Sequence, residues 1–264
     1  MKNKVFKITG IIFLLLVFIA LILIPLHRKA LIKKPLIKKP FLMRGQIAIV
    51  IDDWGYSLNN IPLIEQIKQP LTCAILPGLK NSDPVMQKLN NLGFEIILHL
   101  PMQPKEKYNL EKNTILLGMD AAAIEKIFSK DLSSITLAKG ISNHMGSAIT
   151  EDLKSSTLVM RETKKRQLYF FDSFVTNHSV CPALAKKIKV RFAKRDVFLD
   201  NQNDLAYIKG QLIKLKNLAR KQGLAIGIGH DRKNTLLVLK EMLTGLEKEG
   251  YRFIFLSQAV REAQ

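Results

Sequence analysis

Cysteine is scarce in this chain: Cys73 and Cys181 are the only two in 264 residues. Two thiols cannot build a disulfide-rich secreted scaffold or a four-cysteine zinc site, and both lie in apolar stretches where a free cysteine packs as a small hydrophobe. Tryptophan occurs once and aromatics make up 7% of the residues. With no recognised binding motif beside them, so few aromatics argue against nucleic-acid binding, although the net charge is +19. Acids are absent from positions 1–44, which hold ten Lys and Arg. About half of the net charge therefore belongs to the N-terminal segment. A hydrophobic fraction of 47% and a charged fraction of 24% are those of a folded globular chain and exclude wholesale disorder, collagen and coiled coil. The length suits one large domain or two small ones and can bury a full core.

The N-terminal segment carries its own signal. Ile8–Leu26 contains fourteen consecutive apolar residues, Ile11 to Ile24, preceded by Lys2, Lys4 and Lys7. As a helix this stretch would span roughly 28 Å, close to the hydrocarbon core of a bilayer. It ends in Ile24-Pro25-Leu26-His27-Arg28 without a small-x-small cleavage site, which favours an uncleaved signal-anchor over a signal peptide. The expected organisation is thus a membrane anchor over 1–27, a basic Pro/Lys linker over 28–45 with the repeated Leu-Ile-Lys-Lys-Pro, and a single domain over 46–264. Seven bases follow the anchor against three before it, so charge alone would keep the domain in the cytoplasm.

Residues 45–264 alternate short apolar runs with amphipathic stretches. Strands are expected at Ile47–Ile51, Leu71–Leu76, Glu95–Leu98, Ile141–Asn143, Leu168–Phe171, Val197–Leu199, Leu224–Ile228 and Phe253–Leu256. Helices are expected at Ala121–Leu132 with Asp120 as N-cap, at Leu205–Gln222, and at Thr235–Lys248 with Asn234 as N-cap. This alternation predicts an α/β domain with a parallel sheet, either a barrel or a doubly wound sheet. In both, the site forms at the C-terminal ends of the strands.

Six of those runs lead into Asp or His: Asp52-Asp53, His99, Asn143-His144, Asp172, Asp200-Asn201 and His230-Asp231. Adjacent acids at a strand end repel, and a cation relieves them. Asp53, His99 and His144 supply the three protein ligands of a catalytic metal site, with one position left for water. Asp52 can then take a proton as general base and His230 can protonate a leaving group. Asp172 and Asp200 would orient histidines or bind substrate hydroxyls. The constellation fits hydrolysis of an amide or ester.

Asp52-Asp53-Trp54-Gly55, Leu98-His99-Leu100-Pro101-Met102, Asn143-His144-Met145-Gly146-Ser147, Phe171-Asp172-Ser173, Asp196 to Asn201 and Gly227-Ile228-Gly229-His230 resemble, in order, the motifs of the divergent polysaccharide deacetylases, relatives of the NodB-type carbohydrate esterases. The resemblance implies a distorted (β/α) barrel of about seven strands and metal-dependent removal of acetyl groups from an N-acetylated envelope glycan. Zinc is the first candidate ion. Asp53 matches the metal-binding acid, Asp52 the base, His99 the first metal histidine and His230 the histidine near the last strand. Trp54, Asn143, Asp172, Asp200 and Asn201 lie in the matched motifs and are assigned substrate-binding or supporting roles. The ordinary deacetylases place a second histidine four residues after the first. Here that position is Gln103, so His144 is the candidate third ligand. Phe174-Val175 stand where the family tends to place a basic residue. These two departures define the alternative, a non-catalytic envelope protein that binds a glycan or a partner. The family's place of action argues for an extracytoplasmic domain on the cytoplasmic membrane, against the charge count.

Overall fold

The computed structural model describes residues 10–23 and 43–262, which belong to two separate units, Met1–Phe41 and Leu42–Gln264. In the first unit, residues 10–23 form helix α1 with exposed apolar side chains. The membrane span expected at Ile8–Leu26 extends past both ends of α1, so its termini lie outside the described residues, as does most of the basic linker. Among the described residues, no helix is long and apolar enough to cross a membrane.

The second unit runs β1 (Gly45–Trp54), α2 (Ile61–Ile64), β2 (Thr72–Ile75), α3 (Ser82–Asn91), β3 (Glu95–Met102), α4 (Ala121–Ser134), β4 (Gly140–Met145), α5 (Ser147–Glu151), α6 (Leu153–Lys165) and β5 (Tyr169–Asp172). It continues with α7 (Cys181–Ile188), β6 (Arg191–Lys194), β7 (Val197–Phe198), α8 (Leu205–Gln222), β8 (Leu224–His230), α9 (Lys233–Lys248), β9 (Tyr251–Ile254), α10 (Leu256–Ala259) and β10 (Arg261–Glu262).

Among the described residues the strands form one ten-stranded sheet in the order β10-β6-β5-β4-β3-β2-β1-β8-β7, with β9 also on β1. Only β10 is antiparallel to its neighbour. The path is open, with β7 and β10 at its ends, so the distorted barrel expected with about seven strands is a curled partial barrel of ten. On β1, β8 pairs with Gln46–Asp52, while β9 and β2 share the opposite edge, at Gly45–Ala48 and from Val50 onward.

The period-2 alternation of strand side chains divides the core. Ile47, Ile49 and Ile51 join the large cluster under the helices, with Leu89, Phe128 and Leu212. Ala48 and Val50 face inward with Ala74, Ile97, Phe171, Ile226 and Ile228, and Leu256 and Val260 of the α10 region pack into the same cluster. Asp120, Asp152 and Asp204 cap α4, α6 and α8 by accepting backbone N–H groups. Asn234 is not a cap. Helix α9 starts one residue before it, and its side chain donates to the Asn203 carbonyl at 3.1 Å.

Candidate metal centre

The site grows out of the inner apolar row. On β1 the inward series Ala48, Val50 continues to Asp52. On β3 Ile97 is followed two residues on by His99, and on β8 Ile226 and Ile228 lead to His230. His99 lies inside β3, which extends four residues beyond its expected end. Strand parity would turn Asp53 to the helix side. Instead the register of β1 against β2 shifts between Ile51 and Trp54, and Asp53 takes a positive φ of 65°. This bulge brings two consecutive acids to one cavity. A non-glycine residue in that conformation carries backbone strain that the surrounding sheet must hold in place.

Asp53 is the hub. Its Oδ1 lies 3.2 Å from His99 Nε2 and 3.0 Å from His144 Nδ1, and its Oδ2 lies 3.9 Å from His230 Nε2. Asp52 Oδ2 lies 3.7 Å from His99 Nε2. In His99 and His230 the other ring nitrogen has a hydrogen-bond partner of its own, while in His144 it faces a carboxylate without making a hydrogen bond. His99 Nδ1 is 2.7 Å from Ser142 Oγ, its register neighbour on β4. His230 Nδ1 is 2.8 Å from Asp200 Oδ1. His144 Nε2 is 3.3 Å from Glu111 Oε1. Three imidazoles thus turn one nitrogen toward Asp53 and the other away from it, to a hydrogen-bond partner in His99 and His230 and to the Glu111 carboxylate in His144.

Burial alone would raise the Asp53 carboxyl, but His144 and His99 outweigh it and hold Asp53 far below the ordinary carboxylate range. Asp52 goes the other way, because its complete burial prevails over the histidines that pull it down. Burial works against a charged His144, yet the Asp53 and Glu111 carboxylates prevail and raise it to about 9. His230 is likewise raised, with Asp200 overcoming burial.

Asp53, His99 and His144 each place a ligand atom within 4.8 Å of the others. Asp53 Oδ1 is buried and makes no hydrogen bond among the described residues, although two ring nitrogens face it. This carboxylate oxygen and the two imidazole nitrogens facing it are a donor set that suits a divalent cation. They open onto a cavity of about 460 Å³, also lined by Asp52, His230 and Asn143.

Other sequence-assigned residues stand further back. Asp200 is fully buried, grips His230 and accepts the Thr235 hydroxyl. Asn143 receives the Ser173 amide and ties the β4 and β5 ends together. Asp172 does not face the cavity, because Phe171 takes the inward position and Asp172 accepts from Phe174 N and Ser179 Oγ on the helix side. Trp54 is fully buried in the core cluster, and Asn201 is exposed away from the cavity. Gln103 spends its side-chain oxygen on the Leu117 amide. Arg195 holds the turn after Asp172-Ser173 by donating to the Ser173 and Phe174 carbonyls. Glu111, Tyr56 and Ser142 escaped the sequence reading. Ser142 alone left a trace there, two residues before His144 on a predicted strand and hence on the same face.

Residues 49–260 match the sequence model of the divergent polysaccharide deacetylases. The chain belongs to that family. It is similar to YibQ of Escherichia coli (strain K12), 36% identical over 205 residues that make up 78% of this chain and 64% of YibQ. The match therefore spans a little under two thirds of YibQ. The protein ATU2773 of Agrobacterium tumefaciens C58 superposes with a TM-score of 0.78 at 25% identity, covering 82% of this chain and 89% of that one. BA3943 of Bacillus anthracis, a CE4 family pseudoenzyme, superposes with a TM-score of 0.56 at 12% identity, over 83% of this chain and 66% of that one. A mutant of BA3943 is described as having restored enzymatic activity. That likeness shows the fold alone: a curled α/β sheet of the CE4 deacetylase kind.

Proposed function

We propose that the protein is a metal-dependent hydrolase that removes acetyl groups from an N-acetylated envelope polysaccharide or related glycan. The observation that carries this reading is the convergence of His99, His144 and Asp53 beside a second, buried carboxylate and a tethered histidine. Asp53, His99 and His144 would hold the cation, with zinc the first choice for this donor set. When bound, such an ion polarises a carbonyl oxygen and lowers the pKa of a bound water. Asp52, raised by burial, is suited to take the proton of the attacking water. His230 pairs with Asp52 in the register of β8 on β1, and its Nε2 faces Asp53 while Asp200 holds Nδ1. It is placed to protonate the departing amine. The aromatic ring of Phe198 stacks on His230 at 5.2 Å and limits its rotation.

We further propose that the Ile11–Ile24 run anchors the chain in the cytoplasmic membrane, with the domain on the outer side. The apolar length and the Lys-rich start support an anchor.

The test is the metal content of the full-length protein beside D53A and H99A, followed by acetate release from N-acetylated oligosaccharides. About one metal per chain, lost in both variants, together with acetate release supports the hydrolase. A folded protein that takes up no metal after zinc addition overturns it and favours the glycan- or partner-binding alternative. The diversion of Gln103 to the Leu117 amide is the observation on that side.

A further inference from the structure

Glu111 sits on the connection between β3 and α4, after the strand that carries His99 and well before His144. That connection is fastened at several points. Ile115 N donates to Pro101 O and Gln103 N to Ile115 O, both at 2.9 Å. Gln103 Oε1 accepts from Leu117 N, and Asn113 Nδ2 donates to the buried Asp131 Oδ1, both at 2.8 Å. Thr114 donates to the Glu111 carbonyl through both its amide and its hydroxyl. The loop therefore delivers Glu111 from a braced backbone. Its side chain is fixed in turn by Tyr56, whose hydroxyl donates to Glu111 Oε1 at 3.0 Å. That same oxygen lies 3.3 Å from His144 Nε2, within ion-pair distance although the two make no hydrogen bond.

A neutral imidazole carries one N–H and one lone pair, and a ligating histidine needs the lone pair on the nitrogen that faces the ion. His144 turns Nδ1 to Asp53 and Nε2 to Glu111. An ionised carboxylate only accepts hydrogen bonds. We propose that Glu111 is a positioning residue for His144, holding the ring proton on Nε2 so that Nδ1 offers its lone pair beside Asp53. This inference rests on the metal-dependent reading of the same centre. It gives the loop a chemical role, since the carboxylate that tunes one ligand comes from outside the sheet. Ser142 and Asp200 do the corresponding work for His99 and His230 from within the sheet or its strand ends.

The experiment is a cobalt(II) titration of the full-length protein and of its E111A, E111Q and H144A variants, followed by the visible absorption of the bound ion. Thermal midpoints of the metal-free proteins are measured alongside. Removing an outer carboxylate of this kind weakens metal binding by about 10–100-fold, and that loss is expected for E111A. E111Q keeps an oxygen that can accept from Nε2 and is expected to recover most of the affinity. Wild-type cobalt affinity in E111A overturns the inference and leaves the metal centre standing. So does an E111Q that binds as weakly as E111A, or an E111A whose only change is a lower metal-free midpoint. Failure of the folded wild-type protein to bind cobalt overturns the metal-dependent reading itself and this inference with it.

Discussion

Asp200 holds His230 at two points: Oδ1 lies 2.8 Å from Nδ1, and Oδ2 accepts the His230 backbone amide at 2.8 Å. The carboxylate therefore fixes both the ring and the strand end that carries it. Asp200 also outweighs burial to raise the His230 pKa, so the protonated ring persists to higher pH than an ordinary histidine. Under the proposed hydrolysis His230 is the proton donor, a role worth about 10²–10⁴-fold in rate, which is the loss then expected for H230A. In D200N the alkaline limb of the pH–rate profile should move toward lower pH, because the charge that raised the donor is gone. Acetate release measured across pH checks both.

Cation binding should be coupled to proton release. Without metal, His144 titrates at about 9, where Asp53 and Glu111 prevail over burial, so it is protonated at neutral pH. A ligand must shed its proton before it can coordinate. Zinc affinity is expected to rise with pH up to about 9, with about one proton released per ion near neutrality. Calorimetry in buffers of different ionisation enthalpy measures that number.

The same histidine gives the metal-free protein an alkaline weakness. Its folded-state pKa of about 9 lies above the ordinary 6.5. The stabilisation it contributes is complete below the ordinary value and is lost as pH rises through the folded value. The difference in thermal midpoint between metal-free wild type and H144Q should therefore shrink between pH 6.5 and 9. An unchanged difference would show that His144 is not charged in the folded state.

Gly140 opens β4 against the ring of Tyr169, and a Cβ there would lie 2.3 Å from the nearest ring atom. Tyr169 cannot retreat freely, because its hydroxyl is bonded to the buried Glu95 at 3.0 Å. Overpacking of this kind costs about 1–3 kcal/mol. G140A should lower the melting temperature by several degrees and leave the metal content of the folded protein unchanged, since Gly140 is remote from the cavity.

Much of this was legible in the sequence where strand and helix periodicity is strong. The bounds of α8 at Leu205–Gln222 follow from its apolar spacing, and the strands that carry Asp52, His99 and His230 announce themselves by continuous apolar runs. The β6 strand was not visible, because Arg191-Phe-Ala-Lys194 carries a charge at each end and pairs next to the sheet edge. Asp172 was misplaced by reading strand ends without parity: counted from the inward Phe171, it belongs to the opposite face. Glu111 and Tyr56 lie in irregular segments and meet over 55 positions of sequence separation, so no local pattern connects them.

The bulge at Asp53 has a neighbour of another kind. Trp54 is the chain's only tryptophan, fully buried, and it directly follows the residue on which the three histidines converge. All tryptophan emission from the molecule therefore comes from one ring beside the centre. A change of charge at Asp53 alters the electric field on that ring, while exposure of the ring to a dissolved quencher requires β1 to come apart. Emission wavelength and quencher access thus become two optical readings from one native fluorophore, the first of the state of the site and the second of the integrity of the sheet.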